Sequence, residues 1–259
     1  MSLHLLDHFL IGELSAFLLI FARIGAAIMV MPGIGDVYVT TRIRLMFSLA
    51  MSILLTPLLG DKMPPLPGNV IDLTLLLIAE ILVGTFIGMI ARTILSILHV
   101  AGTIIAYQSS LAVSSIFDPV TGAQTAVLSN LMTIVAMTVM FALNLHHYML
   151  ASIVKSYEIF TPGVYPMVED MFNYDARLVG DCFAVGVMLA APHIVFSFVF
   201  YLMGGLMGRL MPNFQIIAVM LPPQILIAFL LIFAILPSMM DAFVDFMQDH
   251  LQALVGGGI

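Results

Sequence analysis

The 259-residue chain is 62% hydrophobic and only 9% charged, with a formal net charge of −7. A soluble domain is roughly 45–50% apolar and about 25% charged, so a single globular core of this size cannot hide the excess, and a bilayer is its simplest outlet. The acidic balance, with 8 Lys and Arg in all, excludes a phosphate-binding face and with it a nucleic-acid role, while the lone Cys182 excludes an internal disulfide and a cysteine-based metal site.

The first apolar run, residues 9–31, is interrupted by Glu13 and Arg23. It lacks a basic leader and is longer than a signal-peptide core, so it is expected to stay in the mature protein. The second, 45–60, would reach only ~24 Å as a helix, short of a hydrocarbon core of about 30 Å. The stiff turn MPPLPG, Met63–Gly68, follows. The third run, from Val70 to Phe117, would extend to roughly 70 Å, so it must bend, break or leave the bilayer. Arg92 and Gly102 are the break points, giving segments 70–91 and 93–117. Residues 126–154 carry no formal charge and read as one segment. Lys155–Arg177, which contains TPGVYP, is the most polar part and reads as a small exposed cap. The last segments, 178–208 and 214–240, are interrupted by Pro192, Pro222–Pro223 and Pro237. Asp241, Asp245 and Asp249 then make one acidic helix stripe.

Strand-like alternation is absent, which predicts an all-α integral membrane protein of one domain, residues 1–259, built of helical hairpins with broken helices. Broken helices at membrane depth survive only against protein or a cavity, so the chain is expected to need neighbours. With seven segments the Lys and Arg bias puts the C-terminus in the cytoplasm.

Four constellations were weighed for chemistry. Gly33-Ile34-Gly35-Asp36 together with Tyr174-Asp175 mimics the two motifs of intramembrane aspartyl proteases, but in reversed order, and a polar Pro-Gly turn explains the first better. The histidines lack metal-binding spacing. Glu80, Arg23 and Arg92 are charges in or beside apolar segments. Glu80 and Arg23 form either a structural pair or the lining of a solvated path, and the second alternative would suit a proton-coupled small-molecule carrier. Gly84-xxx-Gly88 and Gly204-xxx-Gly208 permit close helix approach. No catalytic residue, metal or cofactor is expected.

The stretch Ala106-Tyr107-Gln108-Ser109-Ser110-Leu111-Ala112-Val113-Ser114-Ser115-Ile116-Phe117-Asp118-Pro119 is too polar for lipid and too apolar for a free loop. Proline disfavours helical geometry at Asp118, so the chain turns there. Composition alone leaves two readings, an interhelical turn or a segment inside an occluded aqueous lumen.

Taken in order, Pro32 with Gly33 and Gly35, Arg42 and Arg44, Glu80-xxx-Gly84-xxx-Gly88, Gly102 leading to Gln108 and Asp118-Pro119, and Met211-Pro212 before Pro222 resemble the FliR family of flagellar export proteins and its SctT relatives in virulence secretion. Asn213 and the doubled Pro222-Pro223 depart from the usual pattern. The resemblance implies a subunit of a type III export gate in the bacterial inner membrane, at the flagellar basal body. FliP-type and FliQ-type subunits would be its partners in a helical complex, with other export-apparatus proteins nearby and unfolded proteins as substrates. It further implies that Ala106–Pro119 plugs the pore.

Overall fold

The computed structural model describes residues 2–65, 67–110, 126–211 and 216–256. Seven α-helices occupy them: α1 Ser2–Val30, α2 Thr41–Leu59, α3 Val70–Gln108, α4 Ala126–Ala142, α5 Leu145–Ile159, α6 Val168–Leu210 and α7 Ile216–Gly256. A 3-10 turn, Gly60–Lys62, ends α2. Five of the helices are long and apolar enough to cross a membrane, and the α4–α5 pair makes a sixth span if counted as one.

Two expected breaks are absent. α3 runs unbroken through Arg92 and Gly102, because neither residue removes a backbone hydrogen bond from an otherwise strongly apolar helix. At 39 residues it is ~58 Å long, so it leaves the hydrocarbon at one end or tilts far beyond the usual range. The charge count that placed the C-terminus assumed the split and no longer holds. Pro192 and Pro222, Pro223 and Pro237 likewise lie inside α6 and α7 without ending them. Helices in apolar surroundings tolerate proline because packed neighbours satisfy the freed carbonyls.

One break comes where none was expected. The charge-free run 126–154 is cut at Leu143-Asn144, and α4 and α5 meet at 77°. Asn144 adopts φ 60, a left-handed conformation that asparagine accepts more readily than most residues.

The chain sorts into two compact units. The first comprises residues 1–93, 144–178 and 247–259; the second, 94–143 and 179–246. In the first, α1 and α2 form a hairpin: Gly12, Glu13, Ala16 and Phe17 of α1 and Ile53, Thr56 and Pro57 near the end of α2 line one cavity of about 650 Å³. α3 then runs parallel to α1, since Gly84 lies on Arg23 and Gly88 on Ala27 and Val30. In the second unit, Gly102 of α3 lies on Ser129 and Met132 of α4. α6 and α7 are antiparallel: Gly204 meets Met220 and His193 meets the carbonyl of Ala228.

Large apolar side chains remain exposed along these helices, among them Leu54 and Leu58 on α2, Met188 and Phe198 on α6 and Phe233 on α7. A soluble monomer rarely tolerates such faces, and they suit contact with a bilayer.

Candidate functional site

The first site lies in the first unit, where α1, α3 and α5 converge on Arg23. Its guanidinium is 1% exposed and donates from Nε to Glu80 Oε2 at 2.5 Å. It also donates to Ser156 Oγ at 3.3 Å and to the Phe160 carbonyl at 3.1 Å. The plane of charge rests on the Tyr157 ring, 4.1 Å from its centroid. A buried charge is tolerated only when paired and hydrogen-bonded, and here one cation is held by a carboxylate, a hydroxyl, a carbonyl and a π face. Of these partners, Glu80 was legible in the sequence as a charge in an apolar helix. Ser156, Tyr157 and Phe160 were not, because residues more than 130 positions from Arg23 leave no trace in spacing.

Glycine makes this convergence possible. A Cβ at Gly84 would collide with the carbonyl of Arg23, and one at Gly88 would stand 2.7 Å from the carbonyl of Ala27. The small-residue face of α3 thus brings its backbone against the backbone of α1, directly beside the ion pair.

Arg92 has a different task. Its Nε donates to the Val30 carbonyl at 2.8 Å and its Nη2 to Asp36 Oδ1 at 2.9 Å. It therefore caps the C-terminal end of α1, where unsatisfied carbonyls and the helix dipole favour a cation. Asp36 Oδ2 accepts from the Gly33 N–H at 2.7 Å, and Arg44 binds the carbonyls of Gly35, Asp36 and Val39. Gly33 has φ 85, and a Cβ at Gly35 would stand 2.5 Å from the Met29 carbonyl. The Pro32–Gly35 turn with Arg44 is thus one self-bonded clasp. Asp175 is engaged separately, by Thr93 Oγ1 at 3.5 Å.

The second site lies in the second unit, at the end of α3. Of the candidate stretch Ala106–Pro119, residues 106–110 are described and Leu111–Pro119 lie outside the described residues. Ala106, Ser109 and Ser110 are buried, and Tyr107 is exposed. Ser110 leaves the helix at φ 59. Polar groups from three helices meet there. Ser197 Oγ of α6 donates to Gln108 Oε1 at 2.6 Å. Gln224 Nε2 of α7 donates to the Gln108 carbonyl at 3.0 Å and to Tyr201 Oη at 3.2 Å. Ser110 Oγ and Tyr201 Oη are 3.0 Å apart. Ser197, Tyr201 and Gln224 carried no visible signal beyond being polar residues in apolar runs. Gly204 packs against the Met220 side chain and Gly208 is half-buried, both in this unit.

Residues 14–250 match the model of a protein family described as bacterial export proteins, family 1. The chain is 41% identical over 210 residues to the flagellar biosynthetic protein FliR of Caulobacter vibrioides, which covers 81% of this chain and 83% of that protein. It is 29% identical over 253 residues to the protein of the same name from Bacillus subtilis, covering 93% and 96%. With that of Escherichia coli it shares 23% over 220 residues, covering 83% and 82%. An all-helical, apolar chain that matches this family over almost its whole length is a membrane component of the flagellar export apparatus, and it belongs to the FliR members of family 1 of the bacterial export proteins.

Proposed function

We propose that this chain is a subunit of the gate through which unfolded flagellar proteins cross the inner membrane, assembled with FliP-type and FliQ-type subunits, and that Ala106–Pro119 is its plug. Membership of the FliR family carries the assignment to the apparatus. One structural observation supports the plug. An apolar helix of 39 residues ends in a left-handed turn at Ser110, and its last groups are held by side chains of α6 and α7. A gate at rest must exclude ions yet admit an extended chain. Small residues move aside at low cost, while Leu111, Ile116 and Phe117 exclude water when seated. The chain acts as an assembly and gating component, with no bond made or broken on it. Flagellar use is favoured over virulence secretion because the curated relatives are named for flagellar biosynthesis.

The test is membrane conductance of cells carrying the assembled complex without substrate. Deleting Ser109–Ser115 is expected to leave the complex assembled and the membrane leaky to small ions, and Phe117→Ala is expected to leak less. An assembled deletion variant as tight as the parent returns the stretch to a plain interhelical turn.

A further inference from the structure

In the first unit, the junction of α5 and α6 encloses a cavity of about 450 Å³. Its more buried lining is aromatic: Phe86 meets the rings of Phe160 and Tyr174 edge-on, at 6.0 and 6.1 Å between centroids. Tyr165 and Met167 line it from the exposed side, and Asp170 is the charged residue among the described lining. The site is preformed. Gly163 turns at φ 88 and packs on Pro64, and the Phe160 carbonyl is held by Arg23.

This end of α6 lies in water. The helix has 43 residues and is ~64 Å long, about twice a hydrocarbon core, and Glu169, Asp170, Asp175 and Arg177 crowd its first turns. Yet Val164, Tyr165, Met167, Val168 and Phe172 are each more than half exposed there. An apolar patch rimmed by polar residues in water marks a protein contact. Charge narrows the partner. Glu169 and Asp170 form no ion pair among the described residues, and Lys155 is taken by Glu158. The start of α6 offsets only about half a charge, so the rim stays negative. It repels anionic lipid headgroups and attracts Lys or Arg.

We infer that this groove docks a segment of a neighbouring subunit, which places a bulky apolar side chain against Phe86, Phe160 and Tyr174 and a Lys or Arg beside Asp170; this rests on the chain working within a complex, as proposed above, and not on the plug. A resident subunit fits better than a passing substrate, because an aromatic and methionine patch left wet between passages invites aggregation.

The test uses membranes carrying the assembled complex, with Met167 replaced by a photoreactive phenylalanine derivative. Met167 is 75% exposed, so the replacement leaves the fold intact. After irradiation the adduct is identified by mass spectrometry. The expected adduct is a peptide of a co-purifying subunit, with Lys or Arg within a few residues of the linked position. Asp170→Asn should lower its yield roughly threefold, in the range of an exposed ion pair, and Asp170→Glu should keep it. Added salt should lower the parental yield as well.

An adduct on lipid, on this chain itself or on an export substrate overturns the docking site, as does the absence of any adduct. A subunit peptide without a basic residue nearby, or a yield indifferent to both Asp170→Asn and salt, overturns the charge-selected partner. The composition of the same preparation reports on the gate separately. If FliP-type and FliQ-type chains are missing while the expected adduct forms on another co-purifying subunit, the gate reading fails and the docking site stands.

Discussion

At the scale of single residues, the Arg23 cluster is where substitution should cost most. Glu80→Ala leaves a guanidinium buried with its carboxylate gone, a defect of about 3–5 kcal/mol. The expected outcome is a sharp fall in the yield of assembled complex, read by co-purification. Normal assembly with slowed export would instead make Glu80 a proton relay, and normal values of both would remove either role. Tyr157 separates packing from polarity. Its hydroxyl is buried and has no hydrogen-bond partner among the described residues, so Tyr157→Phe should change thermal stability by less than about 1 kcal/mol. Tyr157→Leu gives up the π face beneath Arg23, worth about 2 kcal/mol when desolvated, and should lower the melting temperature clearly.

At the scale of helices, close approach depends on particular glycines and is indifferent to others. Gly84 of α3 has the Arg23 carbonyl where a side chain would begin. Gly84→Ala should force the two backbones apart, cost about 1–3 kcal/mol as over-packing, and pull Glu80 away from Arg23 in the same movement. Gly180 of α6 has nothing within 4 Å of that position. Gly180→Ala should be neutral or stabilising by up to about 1 kcal/mol through helix propensity, unless another subunit packs there. Thermal unfolding of the two variants in detergent compares them directly. The glycine spacing showed that helices would touch. Which helix would touch which came from the structure, because a small-residue face names no partner.

At the scale of the whole molecule, the exposed apolar faces of α2, α6 and α7 are too extensive for water. Some of them are expected to be covered by other subunits. Expression with FliP-type and FliQ-type chains should yield one complex that survives gel filtration, whereas the chain alone should aggregate or be degraded. A stable, monodisperse, ordered monomer in detergent would count against the gate assignment. The acidic stripe of Asp241, Asp245 and Asp249 is exposed along α7, and nothing among the described residues covers it.

Composition and run length alone determined that this is an all-helical membrane protein, since 62% apolar residues without strand alternation have no other stable outlet. They also marked Glu80 and Arg23 as charges needing a reason, and the ordered motifs from Pro32 to Pro222 pointed to the family. The tertiary structure decided the rest, for reasons that are not local. A proline ends a helix only if the surroundings leave the backbone unsatisfied, and α6 and α7 continue through Pro192 and Pro222-Pro223, while Arg92 removes no backbone donor from α3. Conversely, α4 and α5 part at Asn144, a left-handed residue in a charge-free run, and α5 contributes Ser156 and Tyr157 to the surroundings of Arg23. Hydrogen-bond partners 89 and 116 residues apart, as Gln108 is from Ser197 and Gln224, leave no trace in spacing. Only the register of packed helices brings them together.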